Sequence, residues 1–212
     1  MYHFSYFKEH DQQVILQLLA DYPLAFVTGS FANGMQTATQ IPMLYEVRAG
    51  TLYVQGHIMR NTDHHKAFIE NPNALVVFTG PSAYVSASWY SNPHMGSTYN
   101  YMSVHLSGKI QFMLPEVFAD WMRRFTLQFE QGNVASPTIY DNLGVDYTNK
   151  MMAGIVGIEM RVEKLDTVFK LSQNRDEESY VNIIEQLKKR GGNSALIAEE
   201  MEKRKGSLYF EG

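Results

Sequence analysis

The sequence predicts an α+β fold, mainly β, in which a small antiparallel barrel of six or so strands carries peripheral helices and ends in a helical pair. Three observations point there. Alternating or apolar runs rich in Val, Thr, Tyr and Phe recur at short spacing. The spacers "FANGM" (31–35) and "RAG" (48–50) are turn chemistry, with glycine available for positive φ, and they are too short for a crossover connection. One helix alone interrupts the early strands, after the third, so the chain lacks the strand–helix alternation of a parallel sheet.

Taken in order, Asp11 caps a helix whose apolar positions Val14, Ile15, Leu18, Leu19 and Tyr22 keep the helical period until Pro23 stops it. Strands follow at 24–30, 36–47 and 51–58. In the second, Thr37, Thr39, Ile41, Met43 and Tyr45 alternate with Ala38, Gln40, Pro42, Leu44 and Glu46, and Pro42 demands an edge or a bulge. A short helix over 61–70 starts from Asn61 or Thr62 as cap and ends at "NPN". "ALVVFTG" and "AYVSASWY" are two further strands, and "TYNYMSVHLSGKIQFM" is one long or bent strand after the polar loop "SNPHMGS". Pro115 opens an amphipathic helix with Phe118, Trp121, Met122, Phe125 and Phe129 on one stripe, closed by Gly132. A short helix near 147–152 precedes the strand or strand pair of 154–173. Two helices, 177–189 and 194–205, complete the chain. The expected organisation is a barrel domain over 1–175 and a helical extension over 176–212, packed on the barrel or on a dimer partner.

Composition narrows the function classes. Of 212 residues 45% are hydrophobic and none is cysteine, which fits a folded protein without disulfides or thiolate metal sites and makes a cytoplasmic home the expectation. The N-terminal residues resemble no signal peptide, and no apolar run could span a bilayer. The tail "SLYFEG" is read as native. A net charge of −4 gives no electrostatic footprint for nucleic acid. The last two helices could pass for a helix-turn-helix, but Glu199, Glu200 and Glu202 in the second would repel phosphates, so direct DNA binding is not expected.

"GHIMRNTDHHKAF" (56–68) concentrates three of the seven histidines with an arginine and a lysine. A metal site fits poorly: His64 and His65 are adjacent and diverge on a helix, His57 precedes it on a strand, and no HxxxH or HExxH spacing occurs. An anion site fits better. A strand end leading into a helix N-terminus offers backbone N–H groups, and Arg60 and Lys66 add positive charge. A solvated basic turn remains the plain alternative. The sequence holds no GxSxG elbow, GxGxxG or GxxxxGK[ST] loop. Trp89, Tyr90, Tyr99, Asn100, Tyr101 and His105 fall on neighbouring strands, and "KLSQNR" (170–175) is a run of donors broken only by Leu171.

Together "TATQIP", "LYVQGHIMRN", "VVFTGPSAYVSASWY", "TYNYMSVHLSGKI" and "IVGIEMRVEKLDTVFKLSQNR" resemble the PaiB family of FMN-binding split-barrel proteins, transcriptional regulators by family label, within the wider pyridoxamine-phosphate-oxidase-like class. The family tends to carry histidine at Gln40, proline at Ala87 and tryptophan at Tyr99, differences that bear on the flavin environment rather than on the fold. The resemblance implies a six-stranded split barrel, a homodimer and FMN at the subunit interface. It places Arg60 and Asn61 at the phosphate, with Gln55, Gly56 and His57 on the approach. Thr39, Gln40, Ile41 and Pro42 would pass beneath the ring, while Lys170, Gln173 and Arg175 would reach across from the second subunit, with Trp89 and Asn100 as further contacts. FMN needs a cationic anion hole, scattered donors and an apolar slot, and these residues supply all three. Three roles stay open: redox chemistry with a small molecule or nicotinamide reductant, flavin sensing by a regulator, and haem binding or degradation through His57, His64, His65 or His94. No general acid or base is assigned; His57 and His105 are the candidates on ionisation range.

Overall fold

The computed structural model describes residues 4–209; Phe210–Gly212 of the tail and the first three residues lie outside it. The strands are β1 (Leu24–Ser30), β2 (Gln36–Pro42), β3 (Leu44–Arg48), β4 (Thr51–Met59), β5 (Asn73–Val85), β6 (Thr98–Phe112) and β7 (Ile155–Lys170). The helices are α1 (Gln12–Asp21), α2 (Asp63–Glu70), α3 (Pro115–Phe129), α4 (Val145–Gly154), α5 (Glu177–Arg190) and α6 (Gly192–Tyr209). The strands form one antiparallel sheet in the order β2-β1-β5-β6-β7-β4-β3.

The sheet has seven strands rather than six. The expected strand 36–47 breaks in two, because proline cannot donate to a ladder and the next N–H, that of Met43, bonds to the Pro23 carbonyl at 2.8 Å. Conversely, "ALVVFTG" and "AYVSASWY" merge into the single β5, which runs straight through Gly80-Pro81. It ends where Ser86 accepts from the Ser88 N–H and turns Ala87–Trp89 into a short 3-10 helix. Trp89 is therefore not a strand residue, and 155–170 is one strand, not a pair.

The chain divides into two compact units. One comprises Pro23–Val77 and Leu106–Leu165. Its sheet side buries Val27, Val54, Val76, Ile158 and Met160, and α3 lays Phe118, Trp121 and Met122 against Leu44. The helical stripe of the sequence is thus a core contact. Gly157 allows this packing, since a Cβ there would sit 2.5 Å from the Phe118 ring.

The other unit comprises Phe78–His105 with the described parts of Met1–Tyr22 and Asp166–Gly212. Asp11 caps α1 as the sequence predicts, accepting from the Gln13 and Val14 N–H groups. Asp176 caps α5 in the same way, and Gly191 ends that helix at φ 70°. Tyr180, Ile183, Leu187, Ile197 and Met201 are buried between α5 and α6, and the Tyr180 hydroxyl donates to the Met201 carbonyl at 2.9 Å. Among the described residues no helix is long and apolar enough to cross a membrane.

Candidate functional site

The structure sends the three histidines of "GHIMRNTDHHKAF" to three different surroundings. His57, on β4, packs its ring against Trp121, Phe125 and Phe118 of α3, with centroids 5.9, 5.7 and 6.4 Å away. His64 is 5% exposed and lies on Phe68, neither ring nitrogen having a hydrogen-bond partner among the described residues. His65 accepts from the Asn61 N–H through Nδ1 at 3.1 Å and abuts Phe112. Burial holds the imidazoles of His57 and His64 below their ordinary ionisation range, so both favour the neutral form. Among the described residues no group of His, Asp and Glu is arranged to hold a metal ion.

The same segment forms a sharp turn. Asn61 takes φ 63°, the left-handed region that asparagine tolerates better than most residues. The Arg60 N–H bonds to the Gly154 carbonyl, fixing the end of β4 against the end of α4. Thr62, not Asn61, is the cap of α2: its hydroxyl accepts from the His65 N–H and donates to the Met59 carbonyl. Part of the donor supply foreseen at the helix start is thus consumed by the cap, and Asp63 sets a negative charge in the first turn. The Arg60 side chain is exposed, and among the described residues it has no hydrogen bond or ion pair. His65 registers its field: burial first, then the Arg60 charge, lowers that imidazole's proton affinity.

β2 crosses close to β4 in this unit. A Cβ on Gly56 would lie 2.3 Å from the buried Met43 sulfur, 3.1 Å from the Pro42 carbonyl and 3.3 Å from the Ile41 side chain, so only glycine permits the approach. Ile41, Pro42 and Gly56 therefore meet, with Thr39 and Gln40 continuing along β2 and α2 packed against β1, β2 and β4. Gln55 is spoken for: 1% exposed, it donates to Glu159 at 2.6 Å, a carboxylate that also takes Arg48 at 2.6 Å. Arg48 bonds Glu46 in turn, which holds that carboxyl below its usual range.

No residue of β2 is buried. Registration of β1 with its neighbours places Leu24, Phe26, Gln40, Pro42, Leu75 and Val77 on one face, where Leu24 and Phe26 remain 53% and 42% exposed.

The remaining predicted residues belong to the other unit. Lys170 reaches Thr98, and burial, then the Arg175 charge, lowers its proton affinity. Gln173 folds back on its own turn, accepting from the Leu171 N–H at 2.7 Å and donating to the Phe169 carbonyl. Asn100 is fully buried, accepting from Ser172, which sits at φ 65°, and donating to the Met201 sulfur. Arg175 stacks on Tyr90 at 4.2 Å and bonds the Met95 sulfur, while Trp89 lies under Arg190 at 4.3 Å. Sequence reading missed Arg190; a cation in the last turn of a helix looks like ordinary dipole compensation.

The predicted cofactor residues thus divide between the two units: Thr39–Pro42, Gln55–His57 and Arg60–Asn61 in one, where Ile41 and Pro42 meet Gly56, and Trp89, Asn100, Lys170, Gln173 and Arg175 in the other. Comparison with known proteins identifies the family and the fold. The family profile described as "Putative FMN-binding domain" matches residues 1–164. Protease synthase and sporulation protein PAI 2 of Bacillus subtilis is 31% identical over 203 residues, 95% of this chain and 97% of that protein. Two solved structures share the fold. One is the FAD and haem binding protein from Mycobacterium smegmatis, with TM-score 0.59, 19% identity, and coverage of 77% of this chain and 73% of that one. The other is the flavocytochrome Anf3 from Azotobacter vinelandii, with TM-score 0.58, 18% identity, and coverage of 85% and 78%. A split barrel with a cationic turn where the strand β4 meets α2, matched along most of its length by one family, belongs to the PaiB-type FMN-binding split-barrel proteins, and its cofactor is FMN.

Proposed function

We propose that this protein is a homodimeric FMN-binding protein of the cytoplasm in which Arg60 and Asn61 hold the phosphate, Thr39–Pro42 support the ring, and Gln55, Gly56 and His57 line the approach. Lys170 of a partner copy completes the site, Gln173 and Arg175 hold the turn that presents it, and Trp89 and Asn100 are outer supports. The observation that carries the reading is the Arg60 guanidinium, exposed and free of any ion pair among the described residues, at a turn that Asn61 and Thr62 hold rigid. A bidentate guanidinium suits a phosphate dianion, and a preformed turn lowers the entropy lost on binding. Gly56 contributes by absence of a side chain, keeping Ile41 and Pro42 against β4.

The half-open apolar face of β1, β2 and β5 supports dimerisation, since a second copy would cover Leu24 and Phe26. When bound, FMN supplies hydride and electron chemistry at its ring; the chain's own residues bind it, orient it and limit access of water. His57, neutral and packed among aromatic rings, is suited to shape the slot rather than to carry protons. Two uses of the bound flavin fit: redox turnover of a small molecule with a nicotinamide reductant, and sensing within a regulator. Haem binding finds less support from this geometry, because His57 and His64 are packed against aromatic rings.

The test is flavin titration followed by absorbance and fluorescence quenching, with mass measured in solution. Saturable FMN uptake by a dimer is expected. A monomer that binds FMN fully, or a dimer that ignores it, would overturn the corresponding half of the proposal. Steady NADH or NADPH oxidation by the loaded protein would then favour the enzyme over the sensor.

A further inference from the structure

Apart from the flavin residues, one unit contains a cavity of about 590 Å³ between α1 and α6. Its floor is apolar, formed by Leu18, Pro81, Met102, Phe169 and Leu196. Its walls carry five carboxylates, Glu9, Asp11, Asp21, Glu199 and Glu200, against two cations, Lys203 and Arg204. Both cations are already neutralised. Arg204 is clamped between Glu9 at 2.8 Å and Glu200 at 2.7 Å, and Lys203 sits 2.5 Å from Glu200.

That leaves Asp11, Asp21 and Glu199 with no ion pair among the described residues. Asp11 is occupied as the α1 cap and Asp21 accepts one bond from Gln17, whereas Glu199 has no hydrogen bond among them. The Tyr22 phenol on the cavity wall is pushed up first by burial, then by the charges of Asp21, Glu200 and Glu199, with Lys203 opposing them.

We infer that this cavity is a binding site for an organic cation, an aliphatic ammonium whose hydrocarbon part lies on the Leu18–Met102–Phe169 floor and whose charge meets Asp21 and Glu199. The charge balance selects the sign of the ligand, because an anion would meet Asp21 and Glu199, which have no ion pair among the described residues, and two cations that are already paired. The apolar floor selects an organic body over a bare metal ion, which would seek several oxygens and water. Charge and floor together ask for an amphiphilic molecule.

The experiment uses the full chain and n-hexylammonium as probe, with hexanoate and hexanol as controls, read by methyl and amide NMR shifts. Saturable shifts at Leu18, Met102 and Leu196 with hexylammonium, little response to hexanoate, and affinity lowered about tenfold in an Asp21→Asn, Glu199→Gln double variant are expected. Hexanol binding as well as hexylammonium would overturn the charge selection. Shifts located elsewhere, or none at millimolar probe, would overturn the site. A Glu199→Gln single variant, altering one exposed carboxylate on the helix surface, keeps the test available if the double variant does not fold. Flavin content is monitored throughout and plays no part in the outcome.

Discussion

The turn at Arg60–Thr62 and the turn at Leu171–Arg175 carry similar loads of polar groups, and the fold treats them in opposite ways. At 171–175 the groups serve the chain itself. Gln173 caps its own backbone, Ser172 holds the buried Asn100, and Arg175 lies flat on Tyr90. At 60–62 the threonine and the backbone do the structural work, and the arginine is left over. A donor-rich stretch becomes a binding site through what the local hydrogen bonds leave unspent, because a group already satisfied must break a bond to serve a ligand.

The comparison is sharpest at Asn100, where the largest effect is expected. Replacing it by Ala strands the Ser172 hydroxyl in the interior and should lower unfolding free energy by about 2 kcal/mol, measured by urea denaturation. The variant's FMN affinity, read once it is folded, should stay within about threefold. A large loss of affinity with unchanged stability would reverse the roles assigned to the two turns. Arg60→Ala should do the opposite, weakening FMN about 10- to 100-fold in a quenching titration while stability moves by less than about 0.5 kcal/mol. Equal affinity in that variant would remove the turn from the site.

Thr62→Ala tests whether the turn must be rigid. Loss of the α2 cap should cost about 1 kcal/mol of stability, with a smaller weakening of FMN than at Arg60. The smallest effect concerns pH. Burial holds His64 below its ordinary range, so the unfolded chain takes up a proton first as pH falls. Stability is therefore complete above about pH 6.5 and declines below it until the folded imidazole also protonates. His64→Leu should flatten part of that decline in melting curves taken between pH 7.5 and 5, and His57 should account for a further part. An unchanged slope would mean that His64 is not buried neutral.

Much of the architecture was legible in the chain because it rests on local rules. Asp11 before an amphipathic run, turns at Asn33-Gly34 and Ala49-Gly50, and Pro115 at the start of α3 act within a few residues of themselves. The misreadings came where local and distant demands compete. Pro42 lies on an edge strand, one of the two places expected for it, but the single strand read over 36–47 ends there, because the next residue's N–H finds Pro23. Gly80-Pro81 resembles a turn, yet β5 continues through it with Pro81 buried. For the candidate site, residue types marked Arg60 with Lys66 and the family resemblance added Asn61 and Gly56, whereas the engagement of Gln55 by Glu159 and of Asn100 by Ser172 involves partners 104 and 72 positions away in sequence.

The sequence by itself determined the α+β class, the helix caps, the crowding of histidine and cation at 56–68, and the family. All of these depend on residue identity at short range or on motifs in fixed order. Tertiary structure alone decided that His57, His64 and His65 part company, that Gly56 lets β2 cross β4, and which donors remain free. Those outcomes depend on which side chains arrive from distant strands to share one small volume, and periodicity along a chain carries no record of that arrival.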